Sequence, residues 1–364
     1  MSTGSQVLTQ DPLLSPTERF LPKGIKEVLP SPELANPISA LNSQNGLLSR
    51  MPASCVPFAQ LMRLDKPAGF WPYYMPSLLG LGYGACTAQS APSPGVLFSL
   101  CGLFYAYCFF LRGAACCWND TMDQDFDRQV GRTRNRPIAR GAVTTTQAHL
   151  FTAACVLAQG PFLMMLPLVC TYHAIFMNVL FGVYALMKRV TYYPQVFLGF
   201  PFAWSIFIGC ASLGVDFASN DRIFLTTMLF TVVVLWTVIC DTVYAHQDIK
   251  DDVKAGVKSV AVRFADSTKE LLSMLVFFLV ALLLGIGSLA HLSALYFMFT
   301  CCGSAALFIM LLAKVDLKEP ASCASFFYAG FFYGGLSLVS GFAIEYAARE
   351  ICGENFDLEQ ALLS

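Results

Sequence analysis

Charge is scarce in this 364-residue chain. Asp, Glu, Lys and Arg together make 13% of it, against about 25% in a soluble globular protein. That excludes an ordinary water-soluble domain. The few charges also balance, 23 basic against 24 acidic residues with a net charge of −1, so no basic excess points to nucleic acid and none is expected as a partner. Sustained period-two alternation of apolar and polar residues is lacking, which argues against the strands of a membrane barrel. Cysteine is present, 14 residues, but no CxxC and no Cys/His cluster occurs, so buried thiols in apolar helices are expected. No signal-peptide core is visible near the start. The first 50 residues hold six prolines, seven serines, four basic and four acidic residues, unlike an Arg-rich, acid-poor mitochondrial presequence. Residues 1–55 read as a flexible polar arm, 56–350 as the membrane domain and 351–364 as a short tail.

What is abundant is apolar length. Mean hydropathy is +0.58, and apolar runs of membrane-spanning length recur. The pattern predicts an all-α polytopic membrane protein. Nine spans are expected, near 68–88, 95–118, 147–167, 171–187, 195–214, 222–242, 271–291, 294–313 and 325–346, with Pro72, Pro76, Pro161 and Pro201 as possible kinks. Two polar loops, 119–146 and 243–270, follow the second and sixth spans and so share a side with the N-terminus. That side would carry 20 of the 23 basic residues. The positive-inside rule therefore places the N-terminus and both loops in the cytosol, with the endoplasmic reticulum as the expected membrane and the mitochondrial inner membrane as the alternative.

Each of these loops opens on aspartates. In WNDTMDQDFD (118–127), Asp120, Asp123 and Asp127 are three and four apart and share one helical sector, while Asp125 points away. In DTVYAHQDIKDD (241–252), Asp241, Tyr244, Asp248 and Asp252 recur at i, i+3, i+7 and i+11, again one face. Like charges packed so closely need a positive partner. Carboxylates are hard oxygen ligands suited to Mg²⁺, which commonly shares them with substrate phosphates. The neighbouring bases, Arg132 and Arg136 after the first cluster and Lys254 and Lys258 after the second, suit a diphosphate held by metal and cations together. A diphosphate carried on an apolar tail would place its wet head at a helix mouth and its tail in the bilayer. Loss of that diphosphate leaves an allylic cation, which aromatic faces stabilise without attacking.

These residues resemble the UbiA superfamily of intramembrane prenyltransferases. NDTMDQDFD is similar to the family's NDxxDxxxD motif, and DTVYAHQDIKDD to its DxxYAxxDxxxD motif. Leu64-Asp65-Lys66-Pro67 with Gly69, RTRNRPIARGAV (132–143), Met187-Lys188-Arg189 with Pro194-Gln195 and Gly199, and DVKAGVKSVAVRF (252–264) extend the resemblance over about 60–350. It implies a helical bundle around a central cavity and Mg²⁺-dependent transfer of an isoprenyl group from its diphosphate to an acceptor. On that resemblance Asn119, Asp120, Asp123 and Asp127 hold one side of the metal–diphosphate, and Asp241, Asp248 and Asp252 the other. Arg132, Arg136, Lys188 and Arg189 contact diphosphate, with Lys254 and Lys258 as further candidates. Arg63 and Asp65 seat the acceptor, Tyr244 orients a carboxylate or the acceptor, and Arg112, seven residues before Asn119, lies deeper near the acceptor. The pattern is closest to enzymes prenylating 4-hydroxybenzoate and to fungal relatives that attach farnesyl groups to aromatic polyketide acids in meroterpenoid synthesis. The second branch is the expectation and the ubiquinone branch the alternative. A cation-coupled transporter is the remote rival, but it would more often hold its acids near the bilayer midplane on broken helices.

Overall fold

Prolines and capping residues mark where the chain enters its helices. A proline at the first or second helical position has no N–H to leave unpaired and a φ already suited to a helix. Four long helices begin this way: α1 (Trp71–Thr87), α2 (Pro94–Met122), α5 (Pro194–Ser212) and α9 (Pro320–Cys352). A capping box, Thr144 with Gln147, starts α3 (Thr145–Leu157). The remaining long helices are α4 (Leu168–Val190), α6 (Ile223–Ala245), α7 (Thr268–Leu289) and α8, which runs Ala294–Lys314 through a π turn at Phe297–Cys302. This computed structural model describes residues 47–352 apart from 89, 217, 218, 220 and 221, and it contains no strand among them. The chain divides into two units, Met1–Arg50 and Met51–Ser364. Of the first unit only the short turn Leu47–Arg50 is described, so most of the expected polar arm, like most of the expected C-terminal tail, lies outside the described residues.

Seven helical stretches among the described residues are long and apolar enough to cross a membrane: α2, α4, α5, α6 continued to Ala255, α7 with its preceding turn, α8 and α9. The other two expected spans are helical but differ in form. The first is a 17-residue helix, α1, after a 3-10 turn at Pro67–Phe70. The third breaks after Leu157 and resumes as Gly160–Leu163. Pro161 supplies the reason, since its ring clashes with the carbonyl four residues back and it has no N–H to donate. Pro76 and Pro201, by contrast, are accommodated inside α1 and α5.

Helix α5 lies at the centre, packed on α1, α4 and α6, while α9 packs on α1, α6 and α8. The α1–α5 contact is backbone on backbone. A Cβ on Gly80 would sit 2.2 Å from the Ile206 carbonyl oxygen, and one on Gly209 would sit 2.6 Å from the Ser77 carbonyl oxygen. Small residues that let helices approach this closely are a common packing device in membranes. Inside, Tyr73, Phe181 and Phe202 contact one another, and Phe331 links Phe202 to Trp236. These rings fill the interior below the ends of α2, α4 and α6, where the two polar loops lie.

Candidate active site

Both aspartate clusters fall where a helix gives way. Helix α2 ends at Met122, Asp123 sits at the joint, and a short helix Gln124–Asp127 follows. Helix α6 ends at Ala245, a 3-10 turn carries His246–Asp248, and Ile249–Ala255 resumes. The second stripe is therefore not one regular helix, as its spacing suggests, but the turn still brings Asp241, Tyr244, Asp248 and Asp252 to one cavity. That cavity has a volume of about 160 Å³ and is also lined by Asn119, Asp123, Asp127, Arg132, Arg136 and Lys188. Asp125 points away as expected, exposed and paired with Arg128 at 2.8 Å.

Each acid of the first cluster meets a cation. Asp120, fully buried, lies 2.6 Å from Arg63 and 2.9 Å from Arg136. Arg136 Nη1 is also 2.9 Å from Asp127. Lys188 Nζ is 2.7 Å from Asp123, whose carboxylate also accepts from Asn119 Nδ2 at 3.2 Å. Across the cavity, Arg132 Nε donates to both oxygens of Asp248 at 2.9 and 3.0 Å, and Nη1 donates to the Tyr244 hydroxyl at 3.0 Å. Burial alone would lower the pKa of Arg136, but the nearby Asp120 and Asp127 more than offset this and raise it, so the guanidinium stays charged.

The backbone at Arg63 explains its reach. It follows the short helix Val56–Leu61 with φ 60°. Arg63 N donates to Gln60 O at 2.9 Å and Leu64 N to Ala59 O at 3.1 Å, which is the Schellman pattern that closes a helix. Glycine usually takes that left-handed position because a Cβ there is strained. Here an arginine takes it and spends its side chain on Asp120.

Other expected residues fall at or beyond the rim. Lys258 lines the cavity and donates to Val190 O at 3.4 Å. Arg189 stays outside the lining, 3.8 Å from Asp123 and stacked over Phe126 at 4.9 Å. Arg112 is buried in α2 and donates to Lys66 O rather than into the cavity. Asp65 and Lys254, expected to contact substrate, are exposed and, like Asp120 and Arg63, do not line the cavity. Asp65 follows the turn at Arg63, and Lys254 stands on the outer side of the short helix after Asp248. The structure adds Tyr184, Gln195 and Ser259 to the wall. Tyr184 could have been found from its position one turn before Lys188 on the same helix face. Gln195 accepts from Val260 N at 3.1 Å, a long-range bond that no local pattern reveals.

The donors present suit a hard divalent cation such as Mg²⁺. Asn119 Oδ1, Asp120 Oδ2 and Asp123 Oδ1 are buried oxygens without a hydrogen-bond partner, and every acid on the cavity wall offers oxygen only. No group of three or more Asp, Glu, His or Cys among the described residues is gathered tightly enough to hold a metal alone. The interleaved cations keep the acids apart, so such an ion would share them with an anionic ligand. The arrangement can thus grip a diphosphate from both sides, in a pocket whose lining includes the rings of Phe126, Tyr184 and Tyr244.

Comparison with known proteins agrees with this geometry. The profile of the UbiA prenyltransferase family matches residues 74–336. A prenyltransferase of Acremonium egyptiacum is 37% identical over 309 residues, 84% of this chain and 90% of that protein. A DMOA farnesyltransferase of Aspergillus novofumigatus is 38% identical over 232 residues, 64% of this chain and 72% of that protein. A 4-hydroxybenzoate geranyltransferase of Lithospermum erythrorhizon is 33% identical over 293 residues, 79% of this chain and 90% of that protein. In fold, the chain resembles the apo structure of a UbiA homologue from Aeropyrum pernix, with TM-score 0.61 and 21% identity over 75% of this chain and 97% of that one. It also resembles an Archaeoglobus fulgidus homologue bound to GPP and Mg²⁺, with TM-score 0.53 and 16% identity over 78% and 99% of the two chains.

Proposed function

This chain belongs to the UbiA prenyltransferase family, and from that premise we propose that it transfers a farnesyl group from its diphosphate to an aromatic, polyketide-derived phenolic acid, with Mg²⁺, in meroterpenoid synthesis. One observation carries the reading: two acid clusters from different helix ends face one cavity, with Arg132, Arg136 and Lys188 between them. By their names, one relative is a farnesyltransferase and another a geranyltransferase acting on the aromatic acid 4-hydroxybenzoate, which supports a prenyl donor and an aromatic acceptor here.

Asn119, Asp120, Asp123 and Asp127 from the first cluster, and Asp241, Asp248 and Asp252 from the second, would hold the metal together with the diphosphate. Mg²⁺, when bound, adds positive charge that stabilises the leaving diphosphate. Arg132, Arg136 and Lys188 neutralise its oxygens as the C1–O bond breaks and the electron pair departs with it. The cavity of about 160 Å³ falls below the roughly 300–1,000 Å³ of a drug-sized ligand site. It takes the head group, and the farnesyl tail follows apolar walls beyond it. Tyr184, on the cavity wall, and Phe181, one turn deeper on α4 against Tyr73, offer ring faces to the allylic cation. The acceptor carbon ortho to the phenol attacks C1, and the ring proton leaves with the released diphosphate as base. Arg112 has a buried Nε without a hydrogen-bond partner and, among the described residues, no acid within ion-pair distance, so it suits the acceptor's carboxylate.

The test supplies microsomes carrying this chain with Mg²⁺ and farnesyl diphosphate, plus an orsellinic-type acid in one tube and 4-hydroxybenzoate in another. Mass spectrometry reads the product. Farnesylation of the orsellinic-type acid alone is expected. Product only from 4-hydroxybenzoate, especially with longer donors, would favour the ubiquinone branch. Ion flux in liposomes without product would favour a transporter.

A further inference from the structure

Arg132 belongs to the loop of the first acid cluster but is bound to the second. Its guanidinium forks onto both oxygens of Asp248, reaches the Tyr244 hydroxyl, and lies 5.1 Å over the Tyr244 ring. Beside it, Gly131 N donates to Asp251 Oδ2 at 3.1 Å, a second tie between the loops. Tyr244 is itself braced by Phe327 on α9 at 4.3 Å. Asp248 is the middle member of the trio Asp241, Asp248 and Asp252, all of which line the cavity. Among the described residues, no Lys or Arg pairs with Asp241 or Asp252. Of the three carboxylates, only the middle one has a direct ion pair, with a base from the opposite wall, while Lys188 and Arg132 act on Asp241 and Asp252 from farther off.

We propose that Arg132 is an exchange latch: an entering diphosphate takes the guanidinium from Asp248, and only then can Asp248 join Asp241 and Asp252 around a divalent cation. This rests on the metal–diphosphate reading of the site. The exchange is chemically even, because an arginine fork fits a phosphate and a carboxylate alike. It is also directional. Asp248 is only 12% exposed, and a carboxylate stripped of its partner in such a place needs another cation. Diphosphate and cation therefore each strengthen the other's binding at the protein, reciprocally. The free metal meets an incomplete trio, and the free diphosphate would leave Asp248 uncompensated. Arg132 is thus a positioning residue for the metal as well as a contact for the substrate.

The test measures Mn²⁺ retained with the full chain in detergent by equilibrium dialysis, across a membrane that passes Mn²⁺ and its pyrophosphate complex but not the protein, with and without inorganic pyrophosphate. Arg132→Gln removes the latch and leaves all three carboxylates. The variant is expected to bind Mn²⁺ alone more tightly than the wild type, by about tenfold within the usual 5–150-fold range of such couplings. Pyrophosphate should then improve Mn²⁺ binding less in the variant than in the wild type. Tyr244→Phe, which loses only the hydroxyl that Arg132 reaches, should move both values part of the way, and it keeps the test open if the first variant fails to fold. Unchanged Mn²⁺ affinity in the folded variants, with wild-type enhancement by pyrophosphate, would overturn the latch and leave the site's reading intact. If even the wild type held no Mn²⁺ with pyrophosphate present, that reading would fall, and the latch with it.

Discussion

The arginine at position 63 offers a way to separate backbone strain from side-chain charge. It occupies a left-handed turn, φ 60°, that costs a non-glycine residue about 1–2 kcal/mol, and its guanidinium lies 2.6 Å from the fully buried Asp120. Arg63→Ala keeps the strain and loses the ion pair. Arg136 still reaches Asp120 at 2.9 Å, so the acid is not left bare. The expected loss is therefore the roughly 1.5–3 kcal/mol of a hydrogen bond to a charged group, short of the 3–5 kcal/mol for stranding a buried charge. Arg63→Gly loses the same ion pair but relieves the turn. Glycine's extra freedom in the unfolded chain takes back about 0.4–1 kcal/mol. The glycine variant should thus be more stable than the alanine variant by about 0.5–1 kcal/mol, read as a difference in unfolding midpoint in detergent. Turnover should fall alike in both, because both lose the same cation beside the first acid cluster. Equal stability, or a less stable glycine variant, would refute the account of the turn. Unequal turnover would refute the claim that the side chain alone serves the site.

Asp120→Ala and Asp248→Ala should each lower prenyl transfer by about a hundredfold or more, the scale of losing one charge-stabilising group in an active site; near-normal turnover in both would sink the site assignment. Arg112→Met should raise the acceptor's KM by about tenfold or more with little change in the donor's, since it removes one charged anchor; equal shifts in both KM values would place Arg112 elsewhere. Gly80→Val should prevent a stable fold, because its Cβ would begin 2.2 Å from a backbone oxygen; a monodisperse, heat-stable variant in detergent would show that α1 and α5 are further apart. Chelation of divalent ions should abolish turnover and added Mg²⁺ restore it, measured as prenylated product; undiminished turnover in chelator would remove the metal from the mechanism.

The sequence by itself determined the membrane class, the helical architecture and the two acid clusters, because each is a local signal. Low charge and long apolar runs leave helices as the economical way to satisfy the backbone in lipid. Spacings of three and four put Asp120, Asp123 and Asp127 on one face without knowledge of any partner. Even the break in the third expected span is written in Pro161. What local pattern does not carry is who meets whom. Arg63 and Asp120 are 57 positions apart, Lys188 and Asp123 are 65, and Arg132 and Asp248 are 116. Those pairings arise only when α2 packs on α4 and on the short helix before Arg63, and the loop after α2 reaches the end of α6. Tertiary structure alone also brought Tyr184 and Gln195 onto the cavity wall and set Asp65 and Lys254 outside it. A charge's value depends on its burial and its neighbours, and both belong to the packed bundle, not to the order of residues along the chain.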